Sequence, residues 1–383
     1  MGNVAPFIAP LFDALTKFNR EYTGFINCVD RNSKAEHIAK GQSVYIPRGT
    51  ASEIEDVVPG AAAKNTDNPD LSNEQITIEA EKVVPIKLDG NESLGLDASG
   101  NYDAVFQQRA MDAYRKLANY VESFIAKKAV AGASRAYGDG SSVMFTSKDT
   151  MPEFAQINRI LDEHGAPDDM RNIVLSNAAM ANLRTNNNIL LKANQLGSDD
   201  FIRYGYTDPV LNLRMWKTAG YSQVNTESTG TGYKVAAAAK KGATTITLDT
   251  GTGTIKEGDV IYFGDDKDNE YVVKAGTSAP GDIEIGYPGL FVDVAAATTV
   301  TVINKYNPII GFANGAIQCA FRAPALPKGG DAAGEHALIT DPRSGLVFDV
   351  GYYTQYHQTR LEIGIAVGAS VVMPENVAVL LNK

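Results

Sequence analysis

Acid–base or metal chemistry near neutral pH falls first to histidine, and the chain has four: His37, His164, His336 and His357. None begins an H-E-x-x-H pattern, and none pairs with a carboxylate at metal-binding spacing. No G-x-S-x-G elbow is present to raise a serine nucleophile. The stretch "GTGTIKEGD" has the glycines of a phosphate loop but not its closing Lys-Ser or Lys-Thr, and reads as a turn between strands. "GDDKDNE" gathers Asp265, Asp266, Asp268 and Glu270, yet lacks the sixth-position Gly and closing Glu of a calcium loop; a solvated hairpin tip is expected. Glu53, Glu55 and Asp56 fall in a loop-like tip, where no buried neighbourhood would tune a carboxyl for proton transfer. Cys28 and Cys319 are far apart, without ligand-like spacing, and read as structural thiols of a reducing cytoplasm. These residues predict no enzyme, no cofactor and no metal site.

Composition narrows the partners. With 35 basic and 45 acidic side chains the net charge is −10, which argues against capture of phosphates or of an anionic membrane. No basic start leads into an apolar run with a small-residue cleavage site, and no stretch approaches membrane-spanning length. The 44% hydrophobic content over 383 residues suffices for two or three domains or one elaborated fold.

The elements follow from periodicity. Val4, Phe7, Ile8, Leu11, Leu15, Phe18, Tyr22, Phe25 and Ile26 recur three or four apart, an amphipathic helix once Pro10 is passed. It either docks on its own core or meets another molecule. "GQSVYIPRG" signals a strand, and about 25 residues rich in Asp, Asn, Ala and Pro separate it from "NEQITIEAEKVVPIKLDGN" at 73–91. There Ile76, Ile78, Ala80, Val84, Ile86 and Leu88 share one face, interrupted at Lys82. Read as one strand, this spans about 40 Å, more than twice the usual length, in a two-stranded ribbon marginal by itself in water. Its apolar face and edges must lie on the domain or find a neighbouring molecule.

Residues 101–133 carry the clearest helix, with Ala110, Tyr114, Leu117, Val121, Phe124 and Ile125 on one face and no Gly or Pro before Gly132. At about 39 Å it is a structural spine. Residues 150–220 alternate helix and strand signals, with Asp149 and Thr150 as candidate caps, which predicts an α+β body. From about 230 to 304 the text turns rich in Thr, Gly and Val, with short strands between Gly and Asp turns, six Lys, no Arg and ten acids. This predicts a small, acidic all-β module, and the return of mixed text after Tyr306 makes it an insertion.

Arm, hairpin, spine helix, α+β body and inserted β module, in that order, resemble the major capsid proteins of tailed bacteriophages. "YRKLANYVESFIAKKA" at 114–129 is similar to the family's spine helix, as found in short-tailed-phage coat proteins with an inserted β-barrel domain, and "GTIKEGDVIYF" at 253–263 to a strand and turn of that insertion. The resemblance implies an α+β HK97-like fold: arm 1–40, extended loop 41–100, spine and shell body 101–229, insertion 230–304 and axial/peripheral completion 305–383. It implies a non-enzymatic homo-oligomer of hexamers and pentamers in an icosahedral virion shell, assembled in the host cytoplasm around double-stranded DNA touched without sequence specificity. Portal protein and a possible decoration protein are its implied partners, with no membrane. Because only about 40 residues from an initiator Met precede the hairpin, a separate scaffolding protein is expected. The expected subunit interface is Ile76, Ile78, Val84, Ile86 and Leu88 on the long strand, with Asp265 and Asp266 on the insertion. Two other readings stand beside this one, an encapsulin-like compartment shell and a virion accessory or receptor-binding protein.

Overall fold

The computed structural model describes residues 5–17, 23–49, 59, 71–188, 190–192, 200–205, 209–333 and 335–383. In chain order these form α1 (Ala5–Lys17), α2 (Phe25–Cys28), β1 (Asp30–Ile38), β2 (Ser43–Gly49), β3 (Leu71–Thr77), β4 (Ala80–Asp89), α3 (Gly90–Ala98) and α4 (Tyr102–Gly132). The body continues through β5 (Arg135–Tyr137), α5 (Pro152–Glu163), β6 (Arg171–Ser176), α6 (Asn177–Asn186), α7 (Asp200–Tyr204), β7 (Leu213–Thr218) and β8 (Val224–Asn225). Six short strands follow: β9 (Lys234–Val235), β10 (Thr245–Asp249), β11 (Val260–Phe263), β12 (Glu270–Ala275), β13 (Asp282–Ile285) and β14 (Val300–Ile303). The chain closes with β15 (Lys305–Phe312), β16 (Ile317–Pro324), β17 (Glu335–Thr340), β18 (Val347–Gln355), β19 (Gln358–Val371) and β20 (Val377–Asn382).

The spine α4 runs within a residue of its expected bounds, and at 31 residues it is about 46 Å long. Its buried stripe, Phe106, Ala110, Tyr114, Leu117, Val121 and Ile125, faces β19 and β4; each fully buried aliphatic there contributes roughly 1.5–3 kcal/mol. The helix stops where Gly132 meets β19: a Cβ on Gly132 would come within 2.4 Å of Val371 Cγ2. The N-terminal arm settles onto the same core, since Leu11, Ala14 and Leu15 of α1 are buried with the spine residues. Of the two readings of that helix, docking on its own core is the one observed. It starts at Ala5, so Pro10 lies inside it.

The long strand is two strands. β3 pairs antiparallel with β2, Ile76 facing Val44, while β4 pairs antiparallel with β19, Ile86 facing Leu361. The chain changes partners at Ile78 and Glu79: Ile78 N–H donates to Gln42 O at 2.9 Å, and Glu79 N–H to Val367 O at 3.2 Å. The alternation survives because both strands bury even-numbered residues, β3 in the small cluster with Ala320 and Ala366 and β4 in the main core on the other face of β19, so periodicity alone cannot register the hand-over. The hairpin pairing therefore joins 43–49 to 71–77, and 80–98 belong to the sheet and α3.

Two larger sheets complete the architecture. One has the order β1-β16-β19-β18-β17, with β4 also on β19; the other runs β7-β6-β15-β20-β5 and continues through β12-β13-β10-β9, with β11 between β12 and β14. A separate apolar core, from Tyr233 through Ile261, Tyr271 and Ile283 to Val302, draws all its members from the β9–β14 segment. That segment is nonetheless hydrogen-bonded into the body sheet, Tyr271 of β12 facing Arg135 of β5. Asp149 and Thr150 do not cap α5, which begins with Pro152 in its first turn.

Candidate assembly surfaces

The strand residues expected to await a neighbour are mostly covered from within. Ile76 and Ile78 are buried against Ala320 and Ala366, with Ile38, Val44 and Ile46 closing around them. Ile86 belongs to the main core, Leu88 is also buried, and Val84 packs partly buried against that core. The physical reason is β19, which the sequence placed in the body without naming its partner: at 14 residues it pairs with β4 and approaches the base of the hairpin. A Cβ on Gly368 of β19 would sit 2.4 Å from Thr77 O, so the backbones meet there only because that residue is glycine. What the hairpin leaves open is its outer side. Tyr45 is 59% exposed, and among the described residues β2 and β3 pair only with each other.

A second open surface lies at the start of the spine. Helix α3 has nine residues and none of them is buried; Leu94 is 72% exposed. A helix this short is marginal in water, below the ~12–15 residues an isolated one needs. Its local support is a capping box, Asp89 Oδ1 accepting from Glu92 N–H at 2.7 Å, and one bond from Gly90 N–H to His357 O at 3.1 Å. Beside His357, at the β18–β19 turn, Tyr356 is 91% exposed. Sequence reading missed this patch because the helix lacks the apolar stripe that periodicity detects.

The insertion is tied to the body at two places by networks of polar contacts. At its neck, the buried Asp259 carboxylate accepts from the Thr226 and Ser228 hydroxyls and from Lys256 N–H at 2.8 Å. The returning strand closes the same knot, Asn304 Nδ2 donating to Ser228 O at 2.6 Å and Thr226 N–H to Asn304 O at 3.2 Å. At its far turn, buried Arg135 of the body pairs with Glu163 of α5, donates to Asn269 Oδ1 at 2.6 Å and lies over the Phe291 ring at 4.9 Å. Arg159 also holds Glu163, at 2.9 Å, and donates to Asp268 O at 3.0 Å. Burial works to raise Glu163, but Arg135 and Arg159 outweigh it and hold its carboxyl below the ordinary range. Asp265 is exposed in this turn; Asp266 is half-buried and accepts from Asn269 Nδ2 at 2.8 Å.

One more buried carboxylate organises the body. Glu122, on the spine, accepts from Gly24, Phe25 and Ile26 N–H at 2.6, 2.8 and 3.0 Å and from Thr218 Oγ1 at 2.6 Å. It ties the segment after α1 and the end of β7 to the helix. Burial pushes its carboxyl up, and these donors pull the other way. The available signal was a Glu midway between Ala118 and Ala126, four residues from each, on a helical face that is otherwise small and apolar.

Three of the four histidines are engaged within the fold. His37 Nδ1 lies 2.7 Å from Pro324 O and His164 Nδ1 2.7 Å from Glu375 O, while His357 is exposed. His336 does meet carboxylates, Asp349 at 3.2 Å and Asp331 at 3.3 Å, because pairing of β17 with β18 brings in an Asp remote in sequence. Both ring nitrogens are thereby engaged, and Asp331 also accepts from Tyr353 OH at 2.6 Å. No group of three or more His, Cys, Asp or Glu among the described residues is arranged to hold a metal. Cys28 and Cys319 are buried free thiols, both pushed up by burial. Glu53, Glu55 and Asp56 lie outside the described residues.

No family model and no curated protein matches the chain. Solved structures do. A chain of the capsid of the cyanophage P-SCSP1u matches over 95% of this chain and 89% of its own, at 12% identity and a TM-score of 0.51. A chain from Mycobacterium phage Che8 matches over 94% and 92%, at 14% identity and 0.48. One from a virus-like particle of Pyrococcus furiosus matches over 97% and 96%, at 11% identity and 0.40. Together with the spine, the projecting hairpin and the two sheets, the cyanophage match gives this chain the HK97-like α+β fold of a phage capsid subunit.

Proposed function

We propose that this chain is a major capsid protein, a non-enzymatic subunit that self-assembles into an icosahedral shell enclosing phage double-stranded DNA. The observation that carries this reading is the match in fold over 95% of the chain to a chain of a phage capsid. Two features support it. Among the described residues the hairpin presents two strands without outer partners, and α3 is a solvent-exposed helix too short to stand well by itself; both gain from a second copy.

On this reading the subunits form hexamers and pentamers, and the division into arm (1–40), extended loop (41–100, with β4 returning to the body sheet), body (101–229 and 305–383) and inserted domain (230–304) describes parts of one shell subunit. The separate core of the β9–β14 segment supports the last of these. The neighbour is met by the outer side of the hairpin, around Tyr45, and by the edges of the expected strand; Asp265 and Asp266 are the insertion's contribution. A scaffolding protein guides assembly in the host cytoplasm, a portal protein occupies one vertex, a decoration protein can bind outside, and the DNA is touched without regard to sequence. The −10 charge suits the last point, since a strongly basic wall would hold the genome.

The test is particle size. The chain, expressed with and without a co-expressed scaffold, is sedimented and imaged. Closed, hollow particles of uniform diameter in the presence of scaffold support the proposal. A monodisperse monomer with every scaffold, salt and crowding condition would reject it. Uniform shells from the chain alone would reject only the separate scaffold.

A further inference from the structure

The seam between insertion and body holds a carboxyl that none of the tethers above uses. Glu270 opens β12 and faces Ala136 of β5, on the strand pairing that joins the two parts of the sheet. It is buried, the Gly138 N–H donates to it, and its Oε2 meets no hydrogen-bond partner among the described residues. An ionised carboxylate there would lack the donors that replace lost water, whereas the neutral acid tolerates the site.

The charged groups around it favour the neutral form. Asp139 faces it from the loop after β5, and Lys267 and Asp268 from the turn before β12. Arg135 is one residue along β5 from the paired Ala136, so it points to the other face of the sheet, where Glu163 and Asn269 engage it. On the other edge of β12, β11 pairs Ile261 with Tyr271, and Tyr262 is the next residue along β11. The last turn of α4, residues 129–132, carries no charge. Burial pushes Glu270 up to about 8, helped by Asp139 and Asp268 and opposed by Gly138 N–H and Lys267. For Asp139, burial is outweighed by the Ser142 and Ser141 donors, which hold it at about 2, so Asp139 keeps its charge and Glu270 keeps the proton.

We propose that Glu270 is a proton-operated latch: protonated, it lets β12 close on β5, and ionised, it loosens the insertion from the body along that seam while both remain folded. The latch belongs to the single chain and does not depend on shell assembly.

Hydrogen–deuterium exchange on the full chain between pH 5 and 9, corrected for intrinsic exchange, reads it directly. Val272 N–H donates across the seam to Ser134 O at 3.2 Å, so peptides covering 134–138 and 270–275 report opening. Opening returns Glu270 to an ordinary value near 4.3, so seam protection should fall by up to about tenfold per pH unit from ~5 to ~8 and then level off. The β15–β20 pairing should stay flat, and Glu270→Gln should flatten the seam. A seam without pH dependence, or one whose slope persists in Glu270→Gln, overturns the latch. Should that variant fail to fold, Asp139→Asn decides: removing the facing charge must move the levelling-off to lower pH, and an unchanged profile overturns the proposal.

Discussion

The insertion and the hairpin are both long excursions from the body, yet they are fastened by opposite means. The insertion returns through a knot of buried hydrogen bonds at Asp259, continues the body sheet through β5 and β12, and is gripped at its turn by Arg135 and Arg159. The hairpin rests on a small apolar patch around Ile76 and Ile78 and leaves its outer edges and Tyr45 open. Polar saturation fixes orientation because every lost partner strands a buried donor or charge. A small apolar patch fixes burial but little direction, which suits a segment whose final position is set by another molecule. The difference teaches that the longer excursion in sequence is the more tightly fastened one.

The comparison breaks most sharply at Asp259. Asp259→Ala removes the buried acceptor shared by the Thr226 and Ser228 hydroxyls and the Lys256 N–H, and should cost about 3–5 kcal/mol in urea unfolding. Asp259→Asn, which keeps an acceptor, should lose less. Glu122→Gln comes next. It retains the shape but turns an NH2 group toward donors from Gly24, Phe25, Ile26 or Thr218, for about 2–4 kcal/mol by the same measurement. A loss below 0.5 kcal/mol at either position would mean that these knots are incidental.

Acid should loosen the insertion's grip before the hairpin's. Glu163 and Asp139 are both held below their unfolded values, so their contributions are complete above about pH 4.5 and are lost as pH falls through the folded values, about 2 for Asp139. Glu270 has the opposite sign: its folded value of about 8 means stability declines as pH rises from about 4.5 to 8. Thermal unfolding across pH 2–9 should therefore show a maximum on the acid side of neutrality, with Glu163→Gln flattening the acid limb and Glu270→Gln the alkaline one. A plateau from pH 5 to 9 in the parent chain would contradict the second assignment.

What the sequence disclosed follows from which forces are local. The spine was legible to within a residue because a 3.6-residue stripe and a terminal Gly are local signals, and strands β10–β14 because their turns are rich in Gly and Asp; the two-residue β9 was not. The division of 73–91 into β3 and β4 was not, since a change of partner leaves the alternation intact. Nor were the polar knots: Glu122 with Gly24, or Asp259 with Thr226, join residues that only the fold brings together. Among the expected interface residues, Ile76 and Ile78 are already covered by the cluster around Ala320 and Ala366, and Ile86 and Leu88 are buried on β4 where it pairs with β19.

The hairpin's side of the comparison is tested by a substitution that should leave stability alone. Tyr45→Asp places a charge on an exposed strand, so unfolding should shift by less than about 0.5 kcal/mol. On the proposed reading it should nonetheless abolish or sharply reduce shell formation in sedimentation. Full assembly would remove Tyr45 from the interface.

The smallest expected effects separate two neighbouring acids on the insertion. Asp266 accepts from Asn269 Nδ2, and Asn269 Oδ1 accepts in turn from buried Arg135, so Asp266→Ala removes a brace from the grip and should cost about 0.5–1 kcal/mol. Asp265 is exposed, and Asp265→Ala should be neutral to unfolding. If a neighbouring subunit uses this turn, the ranking reverses in an assembly assay. There Asp265, whose carboxylate has open solvent around it, should matter more than Asp266, whose carboxylate is already engaged, and the loss should shrink as salt screens the pair. If assembly tracks stability, with Asp266→Ala the worse of the two, the turn serves the fold of its own chain and the hairpin is left as the excursion that reaches outward.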